Sequence, residues 1–152
     1  MIPQPGDIAP DFNLRTSRGR KLTLSELRGQ RVVLIFYPFA FSGICTPELC
    51  GIRDISKDFN DLDAVTLGIS CDSFETVRAF ADQEELKFEL LSDFWPHGEV
   101  AKKYGVFFDK IGAADRGTFV IDRQGVIAGS VVTDLGTPRD PEEYKKILAE
   151  ID

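Results

Sequence analysis

The 152-residue chain has a single histidine, and its three cysteines include no Cys-x-x-Cys pair. So few potential ligands argue against a zinc site, and the missing pair argues against a dithiol of the disulfide-reductase kind. No GxxxxGK(S/T), GxGxxG or GxSxG stretch occurs, which leaves nucleotide binding and serine acyl transfer without an anchor. Lys and Arg never run beyond a pair and the net charge is -7. Nucleic acid and anionic membrane surfaces both require basic patches, so neither is an expected partner. The longest apolar stretch, residues 32–41, is broken by Pro38 and is too short to cross a bilayer. The first residues, Met1-Ile2-Pro3-Gln4-Pro5-Gly6-Asp7, carry neither a basic region nor an apolar run. No signal peptide is therefore expected, and a cytoplasmic location is. An odd number of cysteines in that setting points to thiol chemistry rather than a disulfide scaffold.

What is present is the composition of a globular protein, 43% hydrophobic and 28% charged. The length suits one domain over residues 1–152. Residues 12–14 and 21–23 flank a turn holding Gly19 and read as a hairpin. Residues 25–27 read as one helical turn ended by Gly29. Residues 32–36 are apolar without alternation, the pattern of a strand buried on both faces. After Cys45, Ile52, Ile55, Phe59 and Leu62 recur at helical spacing, with Pro47 in the first turn where a missing N–H costs nothing. Residues 64–70 form a second strand. Asp72-Ser73 can cap a helix whose buried face includes Phe74, Val77 and Phe80. A strand at 88–91, a loop, a short helix at 99–104, a hairpin of 118–121 with 126–132, and a helix at 141–151 complete the chain. The expected fold is α/β of the thioredoxin-like arrangement, a mixed central sheet with helices on both faces and an N-terminal hairpin.

Cys45 stands where the buried strand hands over to a helix. The free N–H groups and partial positive charge of a helix start favour a thiolate, the nucleophilic form of cysteine. Cys50 follows five residues on. In an intact helix the two Cα atoms lie ~8–9 Å apart, beyond the ~7 Å a disulfide tolerates. Cys50 is either an inert helix thiol or a resolving one that works when the first turns open, and Thr46-Pro47 makes those turns easy to open. Cys71 ends a strand and reads as a structural core thiol. His97 reads as a loop-ordering or interface residue. Arg116, before the strand at 118–121, is either a surface residue or a fixed cation for an anion.

Pro38, Ser42 and Cys45 fit the P-x-x-x-(T/S)-x-x-C signature of the peroxiredoxins, and Arg116 falls where that family has its active-site arginine. The resemblance runs from Gly6-Asp7-Ile8-Ala9-Pro10 to Thr118-Phe119-Val120-Ile121-Asp122. Phe39 to Cys45 and the loop at 92–98 most resemble the alkyl hydroperoxide reductase E type, and the Cys45–Cys50 spacing is similar to the bacterioferritin comigratory protein type. Serine replaces the commoner threonine at Ser42 and keeps its hydroxyl. The resemblance implies a peroxidase in which Cys45 attacks the peroxide and becomes a sulfenic acid. Arg116 and Ser42 would bind thiolate and peroxide, while Pro38 shields them. Cys50 would resolve the sulfenic acid, and a thioredoxin- or glutaredoxin-like protein would reduce the disulfide. The alternatives are a one-cysteine peroxidase recycled by an external thiol and a redox-responsive sensor or chaperone. The resemblance further implies a homodimer and no metal, flavin or haem, because sulfur carries the redox change.

Overall fold

The computed structural model describes residues 1–43, 46–52 and 64–151. One seven-stranded sheet organises them, in the order β2-β1-β5-β4-β3-β8-β9. Its strands are β1 (Asn13–Thr16), β2 (Lys21–Thr23), β3 (Arg31–Phe36), β4 (Ala64–Ser70), β5 (Glu89–Ser92), β8 (Arg116–Ile121) and β9 (Ile127–Thr133). The middle of the sheet, β3-β4-β5, is parallel; β1 and β8 join its two sides antiparallel. The expected N-terminal hairpin is present, and Gly19 supplies the positive φ its turn requires.

The unbroken apolar run of β3 has the anticipated cause. Val32, Leu34 and Phe36 enter one core, packed with Tyr104, Val106 and Phe119. Val33, Ile35 and Tyr37 enter the other, packed with residues of α1 (helical residues 46–52), α2 (Phe74–Gln83) and α4 (Pro141–Ala149). Successive strand side chains point to opposite faces, so a strand covered on both sides has to be apolar at every position. Of the helix expected after Cys45, residues 46–52 are described, and Leu49 and Ile52 are fully buried. Ile55, Phe59 and Leu62 lie outside the described residues. No helix among the described residues is long and apolar enough to cross a membrane.

Three local expectations need correction. Ser73 alone caps α2, accepting the Thr76 N–H, while the Asp72 carboxylate binds the Ala40 N–H and the Ser70 hydroxyl. Phe74 is half-buried and outside the core clusters, and the Arg15 guanidinium stacks 3.7 Å from its ring centre. Between α3 (Glu99–Lys103) and β8 lies a second small sheet, β6 (Phe107–Phe108) with β7 (Ala113–Ala114). Strands of two residues are too short to leave a periodic signal.

At the start of α3, Gly98 has φ 67°, and a Cβ there would sit 2.2 Å from the Phe107 ring. Glycine leaves that helix without a side-chain cap, and Asp93 supplies one from outside. Its carboxylate accepts the Val100 N–H at 3.1 Å and the Ala101 N–H at 2.9 Å. Burial pushes the Asp93 carboxyl up to about 6, against the pull of those two N–H groups. A carboxyl with a raised folded-state value binds its proton more readily folded than unfolded. Its contribution to stability is therefore largest below its ordinary value and is lost as pH rises toward 6. An Asp93→Asn protein carries no such proton. We expect the urea-unfolding free energy at pH 4 minus that at pH 7 to be lower by roughly 1–3 kcal/mol in the variant than in the parent. An unchanged difference would rule out this origin for the pH slope.

Candidate active site

β3 and β8 pair antiparallel with Ile35 opposite Thr118. Continuing that register by two residues brings Arg116 level with Tyr37, at the strand end where Pro38 begins the active loop. Two lines of chain far apart in sequence thus meet because of strand pairing alone. The loop is held down by the Tyr37 N–H on the Ile69 carbonyl and the Ala40 N–H on Asp72. Phe41 adopts φ 66°, a region that costs a non-glycine residue on the order of 1 kcal/mol. Its ring stacks edge-on against Phe80, 5.0 Å away, and this packing offsets the strain. The turn then enters α1, with the Thr46 N–H donating to the Ser42 carbonyl at 3.1 Å.

A cavity of about 250 Å³ lies against this loop, lined by Pro38, Phe39, Ser42, Gly43, Ile111, Arg116 and Leu135. Three of the residues expected at the site, Pro38, Ser42 and Arg116, therefore line one small, open and largely apolar pocket. Ile111 comes from the turn between β6 and β7. Cys45 lies outside the described residues, two positions along the chain from Gly43 and directly before helical residue 46.

Arg116 is no surface residue; it is 2% exposed. Its Nε donates to the Leu135 carbonyl at 2.9 Å and its Nη1 to Glu48 Oε1 at 3.0 Å. Glu48 is also gripped by Arg139, whose backbone N–H and Nε donate to Oε2 at 2.8 and 3.0 Å and whose Nη2 donates to Oε1. Arg139 Nη1 donates to the Phe36 carbonyl at the end of β3. Burial alone would push the Glu48 carboxyl up. The hydrogen bonds and charge of Arg139, with the charge of Arg116, outweigh it and hold Glu48 below its ordinary value. The trio is buried throughout and has two permanent positive charges against one negative. One unit of positive charge is left at the cavity, which favours an anion there.

Neither Glu48 nor Arg139 was singled out from the sequence. Glu48 has a signal in hindsight: an acid in the first helical turn three residues after the cysteine, followed by the buried Leu49. Arg139 has none, because Asp140-Pro141 marks only the helix start that follows it.

The remaining thiols and the histidine are elsewhere. Cys71 is buried, and burial together with the Asp93 and Asp72 charges pushes its thiol up to about 12. That is the inert structural cysteine the sequence suggested. Cys50 is half-buried and does not line the cavity; its Sγ lies 3.4 Å from Glu84 Oε2. His97 ties two loops together, with Nδ1 3.2 Å from the Phe94 carbonyl and Nε2 2.6 Å from the Gly112 carbonyl. It orders a loop, as expected, and the Gly112 contact fixes the turn that carries Ile111. Among the described residues, no cluster of His, Cys, Asp and Glu is arranged to hold a metal ion.

Comparison with known proteins agrees with this geometry. Residues 5–130 match the model of the AhpC/TSA family. An alkyl hydroperoxide reductase E of Mycobacterium tuberculosis is 43% identical over 145 residues, 95% of each chain. A bcp-type peroxiredoxin of Coxiella burnetii is 40% identical over 134 residues, 84% of this chain and 87% of that one. The crystal structure of the peroxidoxin BcpB from Mycobacterium tuberculosis superposes with a TM-score of 0.86 at 31% identity, covering 97% of each chain.

Proposed function

The chain belongs to the AhpC/TSA family and is a thiol-dependent peroxidase of the peroxiredoxin type, and from that premise we propose that Cys45 is its peroxide-reacting residue. The observation that carries the proposal is the cavity in which Pro38, Ser42 and Arg116 come together beside the chain position of Cys45. In this reading the surplus positive charge of the Arg116–Glu48–Arg139 trio and the α1 N-terminus hold Cys45 as a thiolate. Arg116 and the Ser42 hydroxyl bind the peroxide oxygens, and the apolar wall of Pro38, Phe39, Ile111 and Leu135 limits water. The thiolate sulfur attacks one oxygen and the O–O bond breaks. Sulfur keeps that oxygen as the sulfenic acid, and the departing alkoxide takes a proton and leaves as alcohol, or as water from hydrogen peroxide.

Recycling follows through Cys50. Its sulfur attacks the Cys45 sulfenic acid, the S–O bond breaks, water leaves, and a disulfide remains for a thioredoxin- or glutaredoxin-like dithiol to reduce. Residues 46–52 are helical, so α1 opens for this step. One observation favours a second reading, a one-cysteine peroxidase recycled by an external thiol: Cys50 Sγ lies against Glu84 rather than at the cavity. A homodimer is proposed through the apolar loops, where Phe41 is 46%, Phe94 50% and Trp95 82% exposed.

Mass spectrometry of the reduced protein after one equivalent of hydroperoxide tests these assignments together. Consumption of the full equivalent with a Cys45–Cys50 disulfide is the expected result. A sulfenic or sulfinic acid persisting on Cys45, with Cys50 still a thiol, would replace the intramolecular route by the external one. Oxidation confined to other residues would remove Cys45 from its assigned role.

A further inference from the structure

We propose that His97 is a positioning residue for substrate choice: through the turn between β6 and β7 it holds Ile111 at the wall of the cavity beside Arg116, and so favours hydroperoxides that carry an apolar group over hydrogen peroxide. The inference rests on the reading of that cavity as the peroxide site. His97 Nε2 lies 2.6 Å from the carbonyl of Gly112, the residue after Ile111. Nδ1 lies 3.2 Å from the Phe94 carbonyl. The ring meets two others edge-on, 6.2 Å from the Phe94 ring centre and 6.0 Å from that of Phe107. Contacts on both nitrogens and on the ring fix its orientation, so the turn is held from a defined support.

The turn needs such a support. β6 and β7 pair only Phe107 with Ala114 and Phe108 with Ala113. A two-stranded ribbon of that size is marginal in water by itself. At its tip, residues 109–112, the Ile111 and Gly112 N–H groups both close on the Phe108 carbonyl, at 3.3 and 3.0 Å. Those bonds shape the turn but tie it to nothing else. Among the described residues, the His97 contact is the one hydrogen bond that joins 109–112 to another part of the chain. Ile111 belongs to neither core cluster and is 41% exposed. Core packing therefore does not hold it in the cavity wall; the turn does.

The wall matters to one class of substrate. Hydrogen peroxide has nothing to place on an apolar surface. An alkyl or aryl hydroperoxide brings a carbon group along with its two oxygens, and Pro38, Phe39, Ile111 and Leu135 give that group a surface. The same ribbon lines a neighbouring cavity of about 420 Å³ through Phe108, and Leu135 belongs to both. A larger group thus continues past Leu135 along the ribbon that His97 steadies. Asp115 and Asp134 also line this second cavity, so an uncharged group suits it and a carboxylate does not. Apolar contact with the substrate counts in full only when the wall stands in place beforehand. A turn that must be ordered at each encounter gives back part of the gain. One lost apolar contact of this kind changes the choice between substrates on the order of tenfold.

The test uses the full chain in its reduced form. Oxidation by hydrogen peroxide and by cumene hydroperoxide, an uncharged aryl hydroperoxide, is followed by rapid quench and mass spectrometry. The readout is the ratio of the two second-order rates, cumene hydroperoxide over hydrogen peroxide. His97→Phe keeps an aromatic ring and removes the donor, while His97→Gln returns an N–H near the Nε2 position. The ratio is expected to fall about tenfold in His97→Phe and to return to within about threefold of the parent in His97→Gln. Ile111→Ala, at an exposed position where substitutions barely affect folding, is expected to lower it by a similar factor. Adding His97→Phe to Ile111→Ala should then change it by no more than about twofold. An unchanged ratio in His97→Phe or in Ile111→Ala would overturn the proposal, whether both rates hold or both fall together, because a purely structural role lowers the two alike. A His97→Gln ratio as low as that of His97→Phe overturns it too, as do effects of His97→Phe and Ile111→Ala that simply add. The reading of the site fails separately, if a Cys45→Ser protein consumes both hydroperoxides at the parent's rates.

Discussion

A Cys45→Ser protein is expected to reduce hydroperoxides at least about a thousandfold more slowly than the parent, with dithiothreitol as reductant and peroxide loss followed directly. The reason is in the atom. A thiolate is a soft nucleophile that can take up an oxygen and hold it as a sulfenic acid. A serine hydroxyl at neutral pH is not ionised and has no oxidised form of that kind to occupy. Neither other cysteine can take over. Cys71 is buried and its thiol is pushed up to about 12, so almost none of it is thiolate at neutral pH. Cys50 lies against the Glu84 carboxylate and away from the cavity that Arg116 lines. A Cys71→Ser protein should therefore keep its turnover, and a Cys50→Ser protein should still react with one equivalent of peroxide. Residual consumption within tenfold of the parent in Cys45→Ser would place the reacting thiol elsewhere.

What the sequence made legible followed from short-range physics. The uninterrupted apolar run of residues 32–36 could only be a strand covered on both faces, and it is. The Pro38, Ser42 and Arg116 pattern, read as a resemblance, named three residues that the β3–β8 register then brings to one cavity. What could not be read depended on long-range packing. Phe74 matched the apolar spacing of α2, yet it is only half-buried, with Arg15 from β1 stacked on its ring. The β6–β7 pair is too short for any pattern, although its turn supplies Ile111 to the cavity wall. Glu48 and Arg139 are 91 positions apart and gain meaning only when β8, α1 and the chain before α4 converge. Charged residues are almost never fully buried unless paired, and nothing local announces a pair whose members are so far apart. For the same reason the sequence placed Cys50 on a helix but could not show what its sulfur faces.

The Glu48 carboxylate is where the largest loss of stability is expected. In Glu48→Gln the shape and much of the hydrogen bonding survive, but two buried guanidinium groups lose the carboxylate that pairs them among the described residues. Breaking a buried ion pair by removing one partner costs about 3–5 kcal/mol, because the other charge is left uncompensated. Side-chain exposures of 3% for Arg116, 2% for Glu48 and 0% for Arg139 put this site in that regime rather than the screened one. Arg139→Met makes the informative contrast, since it leaves Arg116 and Glu48 as a balanced pair. Urea unfolding at pH 7 should rank Glu48→Gln below Arg139→Met, with the parent most stable; the reverse order of the two variants would mean that net buried charge is not what matters. The pH dependence has a definite sign. Glu48 ionises more readily in the folded protein than in the unfolded chain. Its stabilisation is fully present above the ordinary carboxyl range and is lost as pH falls through the lowered folded-state value. The gap between parent and Glu48→Gln should therefore narrow on acidification below about pH 4.5. Peroxide reduction should fall with stability but separately from it. Arg116 holds its place through Nη1 on Glu48 and Nε on the Leu135 carbonyl, and losing the first frees the guanidinium to turn from the cavity. At a temperature where both proteins are folded, Glu48→Gln is expected to react with peroxide on the order of a hundredfold more slowly, the scale on which a misplaced catalytic donor is felt. Parent-like rates in a folded Glu48→Gln protein would show that the Leu135 carbonyl and the cavity wall suffice to aim Arg116.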